Sequence, residues 1–200
     1  MIFEFIIFAL SLALAIAIHE AAHCYMADYL GDPTPRSLGR LTLNPLAHLD
    51  PIGFGMPFLL FLLGSPIMFG WGKSAPFDPY NLRNPKIDTL KIALAGPASN
   101  LILAILLSLV LHLVPASSQL LTISHIFISI NLSLALFNLL PIPPLDGSKI
   151  FLGRYESFTR RNPYLLLLLL LLPIFGGQSL ASVLISPLYH LLSSLLLPGL

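Results

Sequence analysis

The sequence predicts an all-α polytopic membrane protein, with five to six membrane segments around a three-helix core and a short β-like or irregular membrane-associated segment. Three observations predict this class. Of the 200 residues, 56% are hydrophobic and only 10% are charged, whereas a soluble domain carries about a quarter charged residues. Several apolar runs approach the roughly 20 residues that a helix needs to cross the hydrocarbon. The basic residues are confined to a few connecting loops.

One membrane-embedded domain is expected over residues 1–200, with its core at about 2–150 and C-terminal helices at about 163–197. The connections are short, so we expect no added soluble domain. A formal net charge of +1 gives no indication of a nucleic-acid partner. The only cysteine, Cys24, rules out an intramolecular disulfide framework.

Several apolar runs are candidate spans. The run at 163–175 is short and interrupted at Pro173, so it joins the last segment as a broken helix or forms a separate tilted span. The run at 57–69 is also short, and Gly64-Ser65-Pro66 breaks it, which predicts a re-entrant or interfacial segment. The segments that meet or approach full length are 2–28, 90–114, 120–140 and 179–197.

Irregular structure is predicted for two stretches rich in Gly, Pro and Asn, at 31–53 and 70–85. Within the first stretch, Leu41-Thr42-Leu43 alternates as a short strand does, and Asn44-Pro45 turns the chain. The second stretch contains Trp71, an aromatic residue of the kind that favours the bilayer interface.

All ten Lys and Arg residues lie in three loops, at 29–53, 70–91 and 141–162. Cytoplasmic loops of membrane proteins carry an excess of these residues, so all three loops are predicted to face the cytoplasm from the cell membrane. The first two loops share a side only if the segment at 57–69 does not cross. The shortness of that segment agrees with the charge pattern.

Residues 19–23 read His-Glu-Ala-Ala-His within an apolar run. On a helix, His19 and His23 lie on one face about one turn apart and can bind one zinc ion. Glu20 lies beside them and suits a base that takes a proton from a water that the zinc activates. Ionisable groups are costly inside a membrane and are functional by default, although the three can also form an ordinary polar helix end beyond the membrane.

A catalytic zinc ion usually has three protein ligands. His19 is near the cytoplasmic end of the first helix, since 17 residues at 1.5 Å each place it about 26 Å from Ile2. Asp146 follows the 120–140 helix through a proline-rich break and arrives on the same side. This makes Asp146 a natural third ligand, with pairing to Lys149 as its alternative.

Other polar residues have simpler interpretations. His48 and Asp50 lie in the first loop and could approach the metal, but local hydrogen bonds that anchor the loop are favoured. Cys24 is expected to be a buried small hydrophobic residue, and Asn100 either supports the site or bonds between helices. Packed or interfacial roles are favoured for three histidines without partners at ligand spacing: His112, His125 and His190.

Three sequence blocks together resemble the site-2 protease family of intramembrane zinc metalloproteases, in its compact prokaryotic branch without PDZ or CBS domains. The blocks are His19-Glu20-Ala21-Ala22-His23, Ala95-Gly96-Pro97-Ala98-Ser99-Asn100 and the run from Phe137 to Gly147. The likeness covers about residues 10–150.

The resemblance implies one zinc ion per chain, held by His19, His23 and Asp146, with Glu20 as the catalytic base. It places Asn138 near the site, where its amide would bind substrate or the developing oxyanion. The implied substrates are membrane-spanning proteins or signal-peptide remnants, cleaved in the bilayer near its cytoplasmic face. A hypothesis adds that an edge strand containing Leu41, Thr42 and Leu43 holds the unwound substrate.

Two other classes of function compete with the protease. Broken helices with polar residues at depth also build transporter sites, and a metal can stabilise a scaffold that only binds other membrane helices. Glu20 separates the three classes, because a transporter has no evident use for a non-ligating carboxylate beside its ligands.

Overall fold

In a computed structural model of the protein, the structure describes residues 2–63, 70–114, 117–151, 170–172 and 178–197. Every element in these ranges is helical, and none is a strand. The helices are α1 (Ile2–Tyr29), α2 (Thr34–Ser37), α3 (Pro45–His48), α4 (Pro51–Leu62), α5 (Pro85–Leu113), α6 (Ser118–Asn138), α7 (Asp146–Phe151) and α8 (Leu180–Leu196), with a 3₁₀ turn at Pro79–Asn81.

Three of these helices are long and apolar enough to cross a membrane. Helices α1, α5 and α6 have 28, 29 and 21 residues, against the roughly 20 that a span needs. They confirm the spans predicted at 2–28, 90–114 and 120–140. The protein is an α-helical membrane protein.

The three long helices pack against one another. Small side chains allow close approach where the helices meet, and Ala15, Ala93 and Ala104 have no exposed surface. Between α1 and α6, Ala15 and its neighbours pack against Ile130, and between α5 and α6, Ala104 packs with Ile128. Close packing through small residues is how membrane helices associate, because lipid supplies little hydrophobic drive.

Tight turns bring the chain back after α6. Leu140 and Ile142 donate backbone N–H groups to carbonyls two or three residues earlier, and Leu145 does the same to Ile142. A Cβ atom at Gly147 would collide with the carbonyl groups of Leu139 and Leu140. Only glycine tolerates this approach, and the turn places Asp146 beside the end of α6.

Helix α4 is the described part of the short apolar run. It has 12 residues and begins at Pro51, where the Asp50 side chain accepts the N–H groups of Ile52 and Gly53. Against α1 it places Phe61 on Phe5, with ring centroids 4.2 Å apart. Residues 64–69 lie outside the described part of the chain, so the rest of the predicted 57–69 segment does too.

The strand predicted at Leu41-Thr42-Leu43 is wrong. The chain bends at Leu41 and Thr42, and α3 follows immediately. Local hydrogen bonds hold this turn: Thr42 Oγ1 accepts from Asn44 N, and the Asn44 side chain accepts from Leu46 N and caps α3. Short polar side chains of this kind favour turns over ladders. The described residues contain one antiparallel bridge in this region, between Leu49 and Gly72.

An apolar helix of 17 residues, α8, lies within the segment predicted at 179–197, and it is shorter than the three helices that can span. Helix α8 packs against α6 and α5, and the Ser108 hydroxyl on α5 donates to the Leu196 carbonyl at 2.6 Å. Of the run predicted at 163–175, only residues 170–172 are described, and the question of a separate span there lies outside the described residues.

Candidate metal centre

Two histidines and one aspartate meet between the spanning helices. His19 Nε2 and His23 Nε2 are 3.1 Å apart. Asp146 Oδ2 lies 3.1 Å from His19 Nε2 and 3.0 Å from His23 Nε2. All three side chains are buried, and their ligand atoms lie within 4.8 Å of one another. The structure thus brings together the three residues that were predicted from the sequence as metal ligands.

The outer nitrogen of each imidazole already has an acceptor. His19 Nδ1 lies 2.6 Å from Asn100 Oδ1, and His23 Nδ1 lies 2.6 Å from the Ile92 carbonyl. A carbonyl oxygen only accepts, so both Nδ1 atoms carry protons and both neutral rings present lone pairs at Nε2. Such outer partners are typical of metal-binding histidines.

Three atoms with lone pairs therefore face one another at about 3 Å. With no proton between the two Nε2 atoms, this arrangement is repulsive unless a cation lies among them. Two imidazole nitrogens and one carboxylate oxygen form a usual ligand set for catalytic zinc, which keeps a further position open. The residues present fit a zinc ion.

Asp146 also makes its alternative contact. Its Oδ1 accepts from Lys149 Nζ at 3.2 Å, while Oδ2 faces the two histidines. The two oxygens point to different partners, so the ion pair and the metal group coexist. The lysine holds the carboxylate in place and leaves one oxygen for a metal.

Gly96 on α5 provides the space for both rings. A Cβ atom there would collide with His23 Nε2 and would also meet the His19 ring. The close neighbours of Gly96 are thus the two histidines. Gly96 is therefore part of the metal group's cradle.

Asn100 fulfils both roles that the sequence left open. Its Oδ1 accepts from His19, while its Nδ2 donates to the Ala15 carbonyl on α1 and to Asn131 Oδ1 on α6. One amide thus supports a histidine and links three helices.

Glu20 lies beside the two histidines on α1 but outside the ligand group. Its Oε2 accepts the backbone N–H of Ala75 at 2.7 Å, and its Cγ lies close to Gly72, where a Cβ atom would meet it at 3.4 Å. A partly buried carboxylate next to a metal group, held by a single amide, is suited to proton transfer.

Two connecting segments, 30–50 and 70–84, form what we call the loop layer. Buried Arg40 donates to the Lys73 carbonyl at 2.5 Å, and Lys73 N donates to the His48 carbonyl at 2.7 Å. His48 Nε2 lies 2.8 Å from the Thr42 carbonyl. These bonds hold the segment that places the Ala75 amide on Glu20.

His48 and Asp50 therefore have the anchoring roles that we favoured. His48 has no exposed surface and bonds to the loop layer, and Asp50 caps α4. Neither belongs to the metal group among the described residues. Burial lowers the pKa of His48, so its imidazole is more readily neutral, and nearby Arg40 acts in the same direction while the Thr42 carbonyl opposes it.

The other predicted residues are not part of the metal group in the described chain. The Asn138 amide donates to the Leu134 carbonyl of its own helix at 2.9 Å. Cys24 is fully buried, as expected. His112 contacts the Ser108 carbonyl on its own helix, and His190 stacks edge-on with Tyr189.

Three groups that contact the site residues were not predicted from the sequence. The Ile92 carbonyl and the Ala75 amide are backbone groups, which carry no side-chain signal. Asn131 did carry one, because a carboxamide within an apolar span is costly and usually has a partner.

The fold and site together define an α-helical membrane protein with a three-ligand metal group and an adjacent carboxylate among its spanning helices. A model of the family described as "Peptidase family M50" matches residues 115–170, which include α6 and Asp146. Over this region the chain is similar to peptidase family M50, the site-2 protease family.

Named relatives agree with this family. The chain is 40% identical over 150 residues to "Putative zinc metalloprotease YwhC" of Bacillus subtilis, covering 70% of this chain and 65% of that protein. It is 31% identical over 137 residues to "Putative zinc metalloprotease Rip2" of Mycolicibacterium smegmatis, covering 67% of this chain and 51% of that protein. A match to "Putative zinc metalloprotease MJ0611" of Methanocaldococcus jannaschii is 47% identical over 60 residues, or 30% of this chain and 31% of that protein.

The chain thus spans about two thirds of the Bacillus relative and about half of the mycobacterial one. No solved structure matches it.

Proposed function

We propose that this chain is an intramembrane zinc metalloprotease that hydrolyses peptide bonds in or near the transmembrane segments of other proteins. His19, His23 and Asp146 hold one zinc ion, and Glu20 is the general base. The observation that carries the proposal is the set of three lone-pair atoms about 3 Å apart, with the non-ligating carboxylate of Glu20 on the helix that bears the two histidines.

A zinc ion held there would polarise the scissile carbonyl and lower the pKa of a water molecule towards 7. Glu20 takes the proton from the attacking water and passes it to the leaving amine. Its Oε2 accepts the Ala75 N–H, so we assign Oε1 to the water proton. Asp146 remains ionised throughout, because Lys149 pairs with the oxygen that faces away from the histidines.

Asn138 is proposed to donate to the substrate carbonyl. Its amide now donates to the Leu134 carbonyl at the end of α6, and this carbonyl lies one turn back on the same helix. Rotation about the Asn138 side chain would exchange this local bond for one to the substrate. The proposal therefore predicts a loss of catalysis, with zinc retained, in Asn138→Leu.

The substrate-binding role of Leu41, Thr42 and Leu43 loses its structural basis, since no strand forms there. We place the unwound substrate instead beside the non-helical residues Gly72 to Ala75. Gly72 already pairs with Leu49 in an antiparallel bridge, and Ala75 contacts the proposed base. Main-chain pairing at this segment would bring a peptide to Glu20.

The membrane topology is proposed to comprise five to six membrane segments, with the site near the cytoplasmic face of the cell membrane. The contact between His19 and Asp146 supports this. If the segment at 57–69 crossed the bilayer, α6 would run opposite to α1, and Asp146 would arrive on the other side from His19. Their separation of 3.1 Å favours a segment that does not cross and three basic loops on one side.

The class of substrate follows from where the site lies. A metal group buried between spanning helices is reached by a peptide within or at the edge of the bilayer. Membrane-spanning proteins and signal-peptide remnants are such peptides, and we propose them as substrates. A helical substrate must unwind first, because its scissile carbonyl is otherwise hydrogen-bonded within the helix.

Substitution of Glu20 by Gln tests the proposal against the transporter and the scaffold. Membrane peptides are compared by quantitative mass spectrometry in cells that carry either the wild-type chain or Glu20→Gln, and zinc is measured in both purified proteins. We expect cleavage products to disappear while each protein retains one zinc per chain. Glu4→Gln, near the other end of α1, is the matched control and should cleave normally.

Two results would refute the proposal. A wild-type chain without zinc would remove the metal group's role. Unchanged cleavage products in Glu20→Gln would remove the proposed base and favour a transporter or a scaffold.

A further inference from the structure

A chain of hydrogen bonds runs from Asn131 on α6 to the metal group. Asn131 Nδ2 donates to the Phe127 carbonyl at 2.9 Å, one turn earlier on the same helix. Asn131 Oδ1 accepts from Asn100 Nδ2 at 2.8 Å, and Asn100 Oδ1 accepts from His19 Nδ1 at 2.6 Å. Neither asparagine has exposed surface.

The polarity of this chain is set at its far end. The Phe127 carbonyl only accepts, so Asn131 must turn its Nδ2 towards it and its Oδ1 towards Asn100. Asn100 must then present Nδ2 to Asn131 and Oδ1 to His19. The proton of His19 is consequently held on Nδ1, and the lone pair is left on Nε2, which faces His23 and Asp146.

The opposite orientation of the Asn100 amide would weaken metal binding by His19. A rotated amide would present Nδ2 to His19 and favour the tautomer with its proton on Nε2, which does not bind a metal. Two acceptors oppose this rotation, the Ala15 carbonyl at 3.1 Å and Asn131 Oδ1. Without Asn131, a buried amide proton of Asn100 would lose its partner, and the preferred orientation would be weakened.

We propose that Asn131 is a positioning residue that fixes the tautomer of His19 through Asn100 and thereby tunes zinc affinity. This inference rests on the proposed zinc site. Asn131 does not touch the metal group, and its effect passes through one intermediate amide on a different helix. Helix packing alone does not require this polarity, since packing is indifferent to which end of the Asn100 amide faces His19.

The experiment measures zinc affinity by competition with a chelator in detergent-solubilised protein, and Co²⁺ absorption reports the ligand geometry. Asn131→Leu keeps the volume and removes the acceptor, and we expect zinc affinity to fall about 10-fold, the lower end of the effect of outer partners. Asn131→Asp keeps an acceptor oxygen in either protonation state, and its affinity should stay within about threefold of wild type. If Asn131→Leu does not fold, Asn131→Ala takes its place.

The matched control is Ser108→Ala, which removes a buried bond between α5 and α8 that does not lead to the metal group. Its zinc affinity should not change. A double variant separates positioning from packing: in an Asn100→Leu background, Asn131→Leu should cause no further loss, because Asn131 acts only through Asn100.

Several outcomes would overturn the inference while leaving the proposed function intact. These are wild-type affinity in Asn131→Leu, equal losses in Asn131→Leu and Asn131→Asp, or additive losses in the double variant. Failure of the wild-type chain itself to bind zinc would instead refute the proposed function.

Discussion

The spanning helices and the loop layer hold their parts of the site by different means. In the helices, each ligand is fixed by a hydrogen-bond partner. Asn100 and Ile92 on α5 hold the two histidines of α1, and Lys149 holds Asp146 from one turn along the same helix, α7. In the loop layer, a buried side chain such as Arg40 or Asp32 binds backbone groups of a distant segment.

The two regions meet at Glu20. The helices place this carboxylate beside the metal group, and the loop layer supplies the Ala75 N–H that holds it. Zinc binding and the positioning of the proposed base should therefore be separable. Substitutions in the helices should lower zinc affinity, whereas substitutions in the loop layer should lower the cleavage rate and leave zinc bound.

The largest effect is expected from removal of a ligand. His23→Ala deletes one of three donor atoms, and the remaining pair should bind zinc more than about 100-fold more weakly, beyond the cost of losing an outer partner. Zinc content after purification and cleavage of membrane peptides should both be lost. His112→Ala is the control, because His112 contacts a carbonyl of its own helix, and it should retain both.

A smaller effect on zinc is expected at Gly96. In Gly96→Ala the new methyl group collides with both imidazoles, which are anchored on their other sides and cannot retreat. Overpacking of this kind costs about 1–3 kcal/mol, or roughly 5- to 150-fold in zinc affinity. Gly55→Ala is the matched control, since a Cβ atom there meets nothing within 4 Å. Equal affinity in both variants would show that the rings adjust freely.

Sequence reasoning recovered the helical region far better than the loop layer. The spans and the metal group follow from signals that side chains carry directly: apolar length for α1, α5 and α6, and ligand spacing for His19 and His23. Asp146 could be placed as well, because a topology count puts it on the same side of the bilayer as the histidines.

The loop layer was harder because backbone groups organise it. Leu41-Thr42-Leu43 has the alternation of a strand, yet the side chains of Thr42 and Asn44 bond locally and turn the chain. The contact of Ala75 with Glu20 uses a backbone N–H group, which every residue except proline has. The residue type at position 75 therefore does not predict this contact. From sequence, Arg40 contributed only its positive charge. The positive-inside rule uses that charge to place the loop on one side of the membrane, and it does not indicate that the side chain is buried.

Arg40 offers the direct test of the loop layer. Arg40→Met keeps the aliphatic stem and removes the donor that holds the Lys73 carbonyl. Loss of a hydrogen bond from a charged donor costs about 1.5–3 kcal/mol, part of which will appear as a displaced Ala75 amide. We expect cleavage to fall about 10-fold, which corresponds to about 1.4 kcal/mol, with zinc content unchanged.

The matched control for Arg40 is Arg36→Met. Arg36 is exposed and pairs with Asp28 at 2.7 Å, an arrangement that contributes little. Its cleavage rate should equal that of the wild type. Loss of zinc in Arg40→Met would contradict the separation of the two regions.

The smallest effect on cleavage is expected at Asp32, which joins the two segments of the loop layer away from Glu20. Its Oδ2 accepts from Asp78 N at 2.7 Å and its Oδ1 from Asn81 Nδ2 at 2.8 Å. Burial raises the pKa of this carboxyl group, but the bonds from Thr34, Asn81 and Asp78 outweigh it, so the pKa lies below 3.8. The stabilisation from Asp32 is therefore present above about pH 4 and is lost as the pH falls through the folded-state pKa.

Asp32→Asn should remove this pH dependence, because an amide does not titrate and one of its ends would face the Asp78 N–H with a donor. We expect the free energy of unfolding in detergent at pH 7 to fall by about 1–3 kcal/mol, and the difference from wild type to shrink as the pH drops below 4. Asp28→Asn, at an exposed ion pair, should change stability by less than about 1 kcal/mol. Neither residue touches Glu20, so cleavage by the folded fraction should stay within about twofold of wild type in both variants. A large loss of cleavage in Asp32→Asn would mean that the whole loop layer, and not only the part around Arg40, positions the proposed base.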